Sequence, residues 1–235
     1  EINIIGTADK CQGKNEPHTL EYSRCNGVNL GNGYVLTAGH CLSTEGKIRK
    51  IGESKGIQCA EYRSDYYIAE SQSPNGRNNL SRAKKISRAE DIDLGLLSSD
   101  ILKKSNTKLA FCSDIKPGAE VEIRPRETDY IPESIRKKYS NSFSGYSNTI
   151  LGKVLTEDNS GLYNTDLISL EGFSGMGVFD SDSGCLLGVV VGGSEARIIG
   201  KTKTFFFDST MIAGVESIRR FLKESKATGI EGLLK

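Results

Sequence analysis

Short apolar runs recur along the chain, each about strand length and bounded by Gly, Pro, Asn, Asp or Ser. They fall at 33–42 (GYVLTAGHCL), 93–99 (DLGLLSS), 119–125 (AEVEIRP), 149–157 (TILGKVLTE), 177–181 (GVFDS), 185–193 (CLLGVVVGG) and 203–208 (KTFFFD). The stretch Val121–Glu122–Ile123 alternates, whereas the run LLGVVV is continuous, as in a strand buried on both faces. One segment carries a helical period. Met211, Ile212, Val215, Ile218, Phe221 and Leu222 recur at three- and four-residue spacing, Ser209 is a candidate N-cap, and Gly229 follows the last turn. This spacing predicts a C-terminal helix over 209–226. Two polar stretches, 70–90 and 126–149, predict surface loops, the first with an Asn75-Gly76 turn signal. There is no internal repeat and no low-complexity tract. Many short strands, frequent turns and one late helix predict an all-β barrel or sandwich, not alternating βαβ units.

The 235 residues suffice for one large domain or two small ones sharing a core. With 37% hydrophobic and 26% charged residues the composition is that of an ordinary globular protein. A formal net charge of +1 offers no basic stripe for nucleic acid. No apolar run approaches the ~18–20 residues of a membrane span. The sequence opens at Glu1 without an initiator Met, which implies a removed leader or a trimmed chain. Six cysteines occur, none in a CxxC pair, beside only two histidines, so a zinc site is poorly supported. An even number of scattered cysteines suits disulfides in an oxidising compartment; the competing reading is buried thiols in the cytosol.

Three places collect chemistry. His40 ends an apolar strand in LTAGHC. A lone histidine there is ordinarily a packing residue, and His18, in the polar NEPHTLEY, reads as surface. Asp91 and Asp93 open the strand EDIDLGLL. Leu94, Leu96 and Leu97 shield Asp93 from water, and a shielded carboxylate needs a partner such as an imidazole N–H. Ser174 stands in GFSGMG with Gly172 and Gly175 around it. A serine hydroxyl needs an adjacent base to act as a nucleophile, and that base needs a third group to fix its tautomer. Glycine at 172 lets its own N–H and that of Ser174 face one point, where they could hold an oxyanion.

GYVLTAGHC, DLGLL, GFSGMGVFD and LLGVVVGG, in that order, resemble the chymotrypsin/trypsin-like serine endopeptidases over roughly residues 2–224. The pattern is more similar to the secreted bacterial branch, glutamyl-endopeptidase-like and HtrA-like, than to digestive trypsins. The resemblance implies one peptidase domain over 1–235: two six-stranded antiparallel β-barrels, about 2–110 and 111–208, then the C-terminal α-helix. It implies a cleft between the barrels, with His40 and Asp93 from the first and Ser174 from the second, and Gly172 and Ser174 N–H as the oxyanion hole. It implies a Cys25–Cys41 disulfide beside the histidine. Cys11, Cys59, Cys112 and Cys185 allow three pairings that sequence leaves open; Cys11–Cys59 with Cys112–Cys185, one per barrel, is the expectation adopted.

The chain departs from the family pattern in three ways. Phe173 replaces the Asp that pairs a new N-terminal amine, so activation at Ile4 or Ile5 through that ion pair is not expected; Phe173 would order the loop by packing instead. Ile168, six residues before the serine, is expected at the floor of the primary pocket, near Ser169, with Val191, Gly192 and Gly193 as its wall. Such a pocket favours an apolar side chain by ~1.5–3 kcal/mol of burial. Val191 also replaces the wall histidine of glutamyl endopeptidases, which argues against a preference for Glu; the part of Ser169, Glu171 and Arg197 in shaping the pocket is left open by the sequence. Met176-Gly177 replaces the usual Gly-Pro or Ser-Pro, which favours a second reading, an inactive homologue serving as a protein-binding module.

The expected chemistry is acyl transfer on a protein or peptide substrate, without metal or organic cofactor, by a secreted or periplasmic monomer that engages neither nucleic acid nor membrane. An esterase on an α/β-hydrolase scaffold is disfavoured, because there the serine precedes the histidine in the chain.

Overall fold

The computed structural model describes residues 2–11, 18–42, 45–69, 80–104, 109–125, 131–144, 148–158, 160–199, 204–225 and 227–230. The apolar runs become strands stacked in two antiparallel sheets. The first contains β1 (Ile2–Cys11), β2 (His18–Cys25), β3 (Val28–Gly31), β4 (Tyr34–Ala38), β5 (Cys59–Ala69), β6 (Leu80–Ala89) and β7 (Leu94–Ser98). Its seven strands run in the order β2-β1-β5-β6-β7-β4-β3. The second contains β8 (Glu120–Ile123), β9 (Ile150–Glu157), β10 (Leu162–Thr165), β11 (Ser169–Leu170), β12 (Gly177–Asp180), β13 (Leu186–Ile199) and β14 (Thr204–Gly214). Here β10 pairs with both β9 and β14, so β10-β9-β8-β12-β13-β14 closes into a six-stranded barrel and β11 adds to β14.

Continuous apolar runs mark the strands covered on both faces. Leu94, Leu96 and Leu97 of β7 are fully buried, as are Leu186 and Val189 of β13. In β8 the alternation holds: Val121 and Ile123 point into the barrel and Glu120 faces solvent. The barrel core also takes Ile150, Leu167, Ile168, Phe173, Val178, Phe206 and Ile212. A second core crosses between the sheets. It joins Ile2, Leu30, Leu36 and Leu96 to Leu186, Val189 and Val191 of β13, and to Ile218, Phe221 and Leu222 of the C-terminal helix. Ile230 is buried in the same cluster, and the Asn32 side-chain amide donates to the Gly229 carbonyl. Burial of this size, at about 25 cal/mol per Å² of apolar surface, is the main term holding the two halves together.

The C-terminal helix spans Val215–Glu224 and starts later than its periodicity suggested. Residues 209–214 continue β14, pairing with β13 from Ser209↔Ser194 to Gly214↔Gly188 and with β10 over Thr210–Ala213. Met211 and Ile212 sit at helical spacing from Val215, but ladder pairing on both edges of the strand outweighs that pattern. Gly214, in extended conformation, is the residue at which the chain enters the helix. Ser209 instead bonds the Ser194 hydroxyl.

Strand β6 lies inside the stretch expected to be a loop. Its polar side chains, Arg82, Lys84 and Lys85 among them, stay exposed while its backbone pairs with β5 and β7. Two helices carried no clear signal: α1 (Glu45–Ser54), which buries Ile48 against Tyr62 and Cys11, and α2 (Glu133–Lys138), which buries Ile135. The Asn75-Gly76 turn lies outside the described residues, as do the side chains of His18 and Arg197. All six cysteines are bridged, as Cys11–Cys59, Cys25–Cys41 and Cys112–Cys185. Among the described residues no helix is long and apolar enough to cross a membrane.

Candidate functional site

Strands β4 and β7 pair in register from Tyr34↔Ser98 to Ala38↔Leu94. The residues just past Ala38 and just before Leu94 therefore meet at one end of the sheet. There Gly39 N–H donates to the Asp93 carbonyl at 2.6 Å, and His40 N–H donates to Asp93 Oδ1 at 2.6 Å. The other carboxylate oxygen, Oδ2, lies 2.6 Å from His40 Nδ1. Both oxygens of Asp93 are thus engaged by one residue. With Nδ1–H turned to the carboxylate, the Nε2 lone pair is the one left for chemistry.

Close approach makes Gly39 necessary, since a Cβ there would stand 2.9 Å from Asp93 Oδ1 and 3.0 Å from the Leu94 carbonyl oxygen. Asp93 adopts a left-handed φ of 49°, a conformation that Asp tolerates better than most residues. The leucines after it are buried, yet its side chain keeps 27% exposure and that of His40 keeps 47%, so shielding comes from one side only. Cys41, next to His40, is bridged to Cys25 at the end of β2, which ties this turn to a second strand. Cys25, His40 and Cys41 lie close enough to suggest a metal cluster, but both sulfurs are consumed by the disulfide.

Ser174 sits in the turn between β11 and β12. Phe173 N–H donates to the Leu170 carbonyl (3.0 Å), Met176 N–H to the Phe173 carbonyl (2.9 Å) and Gly175 N–H to the Val190 carbonyl (2.8 Å). Gly172 and Gly175 take φ of 93° and 85°. The Ser174 carbonyl accepts from Asn26 N–H at 2.7 Å, and the Gly172 carbonyl accepts from Asn26 Nδ2 at 2.7 Å. Among the described residues, neither the Gly172 N–H nor the Ser174 N–H has an acceptor.

A cavity of about 490 Å³ opens here. His40, Ser174, Gly172, Ser169, Val191, Gly192 and Gly193 line it together, with Leu170, Glu171, Val190 and Phe207. Asp93 stands behind His40. No hydrogen bond joins the Ser174 hydroxyl to the His40 ring among the described contacts; unliganded sites commonly hold such pairs too far apart or misaligned.

Ile168 is not at the cavity floor. It is 2% exposed and packs inside the barrel with Leu167 and Ile212, because the chain entering β11 directs it into the core; Ser169, one residue on, reaches the cavity. Phe173 is buried in the same core. Ile4 and Ile5 lie mid-strand in β1, paired on both sides with β2 and β5. Asn26, Thr37 and Phe207 were missed at the sequence level. Asn26 lies in RCNGVNL, where Asn-Gly reads as an ordinary turn, and Phe207 lies in a run that reads only as strand.

No protein-family model matches the chain, and no curated protein sequence matches it. Solved structures do. A serine endoprotease from Yersinia pestis superposes with a TM-score of 0.56 at 13% identity, over 96% of this chain and 63% of that one. An HtrA-type protease, AlgW, with a tripeptide gives a TM-score of 0.56 at 15% identity, over 97% and 60%. The chain has the chymotrypsin-like serine protease fold. An inactive form of the Rv3671c protein from M. tuberculosis H37Rv matches with a TM-score of 0.50 at 14% identity, over 96% and 88%. The chain spans less than two thirds of the Yersinia and AlgW structures. At such identities only the fold carries over. In this chymotrypsin-like chain His40 and Asp93 come from the first sheet and Ser174 from the barrel, with the cavity at their seam.

Proposed function

We propose that this protein is a serine endopeptidase that cleaves peptide bonds through an acyl-enzyme. One observation carries the reading. Ser174, an imidazole whose Nδ1 is bound by a carboxylate at 2.6 Å, and two backbone N–H groups without acceptors all border one cavity. In the mechanism, Ser174 Oγ attacks the peptide carbonyl as His40 Nε2 takes its proton. His40 then returns the proton to the leaving amine. Asp93 orients the ring and stabilises its charged form, while Gly172 and Ser174 N–H hold the oxyanion. Water then hydrolyses the ester by the same steps, with His40 again as base.

Leu170, Val190, Val191 and Phe207 give the cavity an apolar lining. An apolar substrate side chain gains ~1.5–3 kcal/mol there by burial. A substrate cation gains little there, because among the described residues lining the cavity the one carboxylate, Glu171, is exposed and screened by solvent. The chain works as a monomer on protein or peptide substrates, with neither nucleic acid nor membrane as partner. Three disulfides support a secreted or periplasmic location.

The test compares parent and Ser174→Ala on a peptide library read by mass spectrometry, with fluorophosphonate labelling of both. The parent labels and cleaves after apolar residues, and the variant loses turnover on the order of 10⁴–10⁶. A folded parent that neither labels nor cleaves would instead be a binding module on a protease scaffold.

A further inference from the structure

Asn26 belongs to the first sheet's side of the cleft, yet two of its hydrogen bonds go to the Ser174 turn. It directly follows Cys25, which is bridged to the neighbour of His40. Every polar group of Asn26 but one is engaged. Its N–H donates to the Ser174 carbonyl, its Nδ2 donates to the Gly172 carbonyl, and its own carbonyl accepts the Thr37 hydroxyl, each at 2.7 Å. Thr37 is fully buried. Gly175 makes the approach possible, because a Cβ at that position would overlap the Asn26 carbonyl and the Thr37 hydroxyl.

Peptide planarity turns these bonds into an orienting device. The 172–173 peptide is held at its carbonyl by Asn26 and at its N–H by Leu170. The 174–175 peptide is held at its carbonyl by Asn26 and at its N–H by Val190. Between them lies the 173–174 peptide, which carries Ser174 N–H. Its own carbonyl, that of Phe173, accepts from Met176 N–H at 2.9 Å, so a flip of this plane breaks that bond, while the two held flanking planes fix the Cα atoms about which it would turn. The 171–172 peptide, which carries the Gly172 N–H, adjoins the held 172–173 plane and is anchored on that side at the residue 172 Cα. Asn26 thus holds, from across the cleft, the two planes that flank Ser174 N–H, one through its backbone N–H and the other, next to Gly172 N–H, through its side-chain amide. Phe173, at the place where a carboxylate orders this turn in the resembling family, has no polar group to offer and packs in the barrel core.

We propose that Asn26 is a positioning residue that aligns the Gly172 and Ser174 N–H groups for the oxyanion, joining the histidine side of the cleft to the serine side. This rests on the hydrolase reading above. The test uses the whole protein and compares the parent with Asn26→Asp, which keeps the shape and loses the donor, and Asn26→Ala. Each is assayed for kcat, KM, pH profile and affinity for a peptidyl trifluoromethyl ketone, whose adduct mimics the tetrahedral intermediate. The expected result is a fall in kcat of about 10-fold or more for both variants, with KM within about 2-fold. Affinity for the ketone falls in proportion, and the acid limb of the pH profile does not move in Asn26→Ala, which adds no charge and leaves His40 and Asp93 untouched. Circular dichroism establishes that each variant is folded; if Asn26→Asp is not, Asn26→Ser, uncharged and too short to reach Gly172, replaces it with the same expected loss. A parent that cleaves while the variants keep its kcat, or lose activity through KM alone, overturns the role of Asn26 and leaves the hydrolase reading standing. A parent that neither labels with fluorophosphonate nor cleaves overturns both.

Discussion

Adding one methyl group at residue 175 tests how the two halves meet. Gly175 takes a φ of 85°, and a Cβ on it would overlap the Asn26 carbonyl and the Thr37 hydroxyl. Gly118 has nearly the same φ, 87°, but nothing within 4 Å of its would-be Cβ. The pair separates backbone strain from collision. Left-handed backbone costs a non-glycine residue about 1–2 kcal/mol, offset by about 0.5 kcal/mol because alanine also stiffens the unfolded chain. Gly118→Ala should therefore lose about 0.5–1.5 kcal/mol. Gly175→Ala bears the same strain plus about 1–3 kcal/mol of overpacking, and displaces at least one hydrogen bond worth about 1 kcal/mol. The difference between the variants is about 2–4 kcal/mol, or roughly 5–15 °C in melting midpoint for a chain of this size. The assay is thermal unfolding followed by circular dichroism, with peptide hydrolysis measured beside it. Only Gly175→Ala should also depress turnover, because the Ser174 turn moves with Asn26. Equal midpoints for the two variants would refute the claim that this seam is closed by direct contact between Asn26, Thr37 and residue 175.

Three further outcomes are expected. Replacing Cys25 and Cys41 together by alanine opens a link between residues 16 apart and should cost about 3 kcal/mol, seen as a lower urea midpoint; an unchanged midpoint would mean the turn at His40 is held without it. Hydrogen bonds from the Ser160 and Ser183 side chains, then from backbone N–H groups, hold the carboxyls of Asp158 and Asp180 below the ordinary 3.8. The fold favours their charged form, so the stability they add is complete above pH 3.8 and is lost as the pH falls through their lower native values. Ser183→Ala should flatten the acid side of the melting-point profile, and an unaltered slope below pH ~4 would contradict this. Phe207 borders the cavity and packs on Gly193, so Phe207→Ala should shift cleavage towards larger apolar side chains in a peptide-library profile; an identical profile would place the primary pocket elsewhere.

The strands legible from sequence were those whose burial was uniform. Strands β4 and β7 and residues 186–191 of β13 are apolar almost throughout because both faces are covered, and runs so short, bounded by turn residues, read as buried strands. His40 and Asp93 were legible for a related reason: each sits at the edge of such a run, and register then brings the edges together. Strand β6 was hidden because its partners hold its backbone while lysines and arginines cover its outside. Residues 209–214 were misassigned because three- and four-residue spacing occurs by chance in a strand buried on both faces. Ile168 was placed by counting back from Ser174, and counting does not say which way a residue faces at the entry to β11. Asn26 could not be found from its neighbours at all, since its partner Gly172 is 146 positions away.

The C-terminal helix and Ile230 complete a core that the first hundred residues begin. A nascent chain emerging from the ribosome thus holds Ile2, Leu36 and Leu96 ready long before Phe221, Leu222 and Ile230 exist to cover them. Final closure of the first sheet awaits synthesis of residues 218–230. A chain cut before Phe221 would therefore leave the apolar face of the first sheet, made earlier than the residues that cover it, open to aggregation.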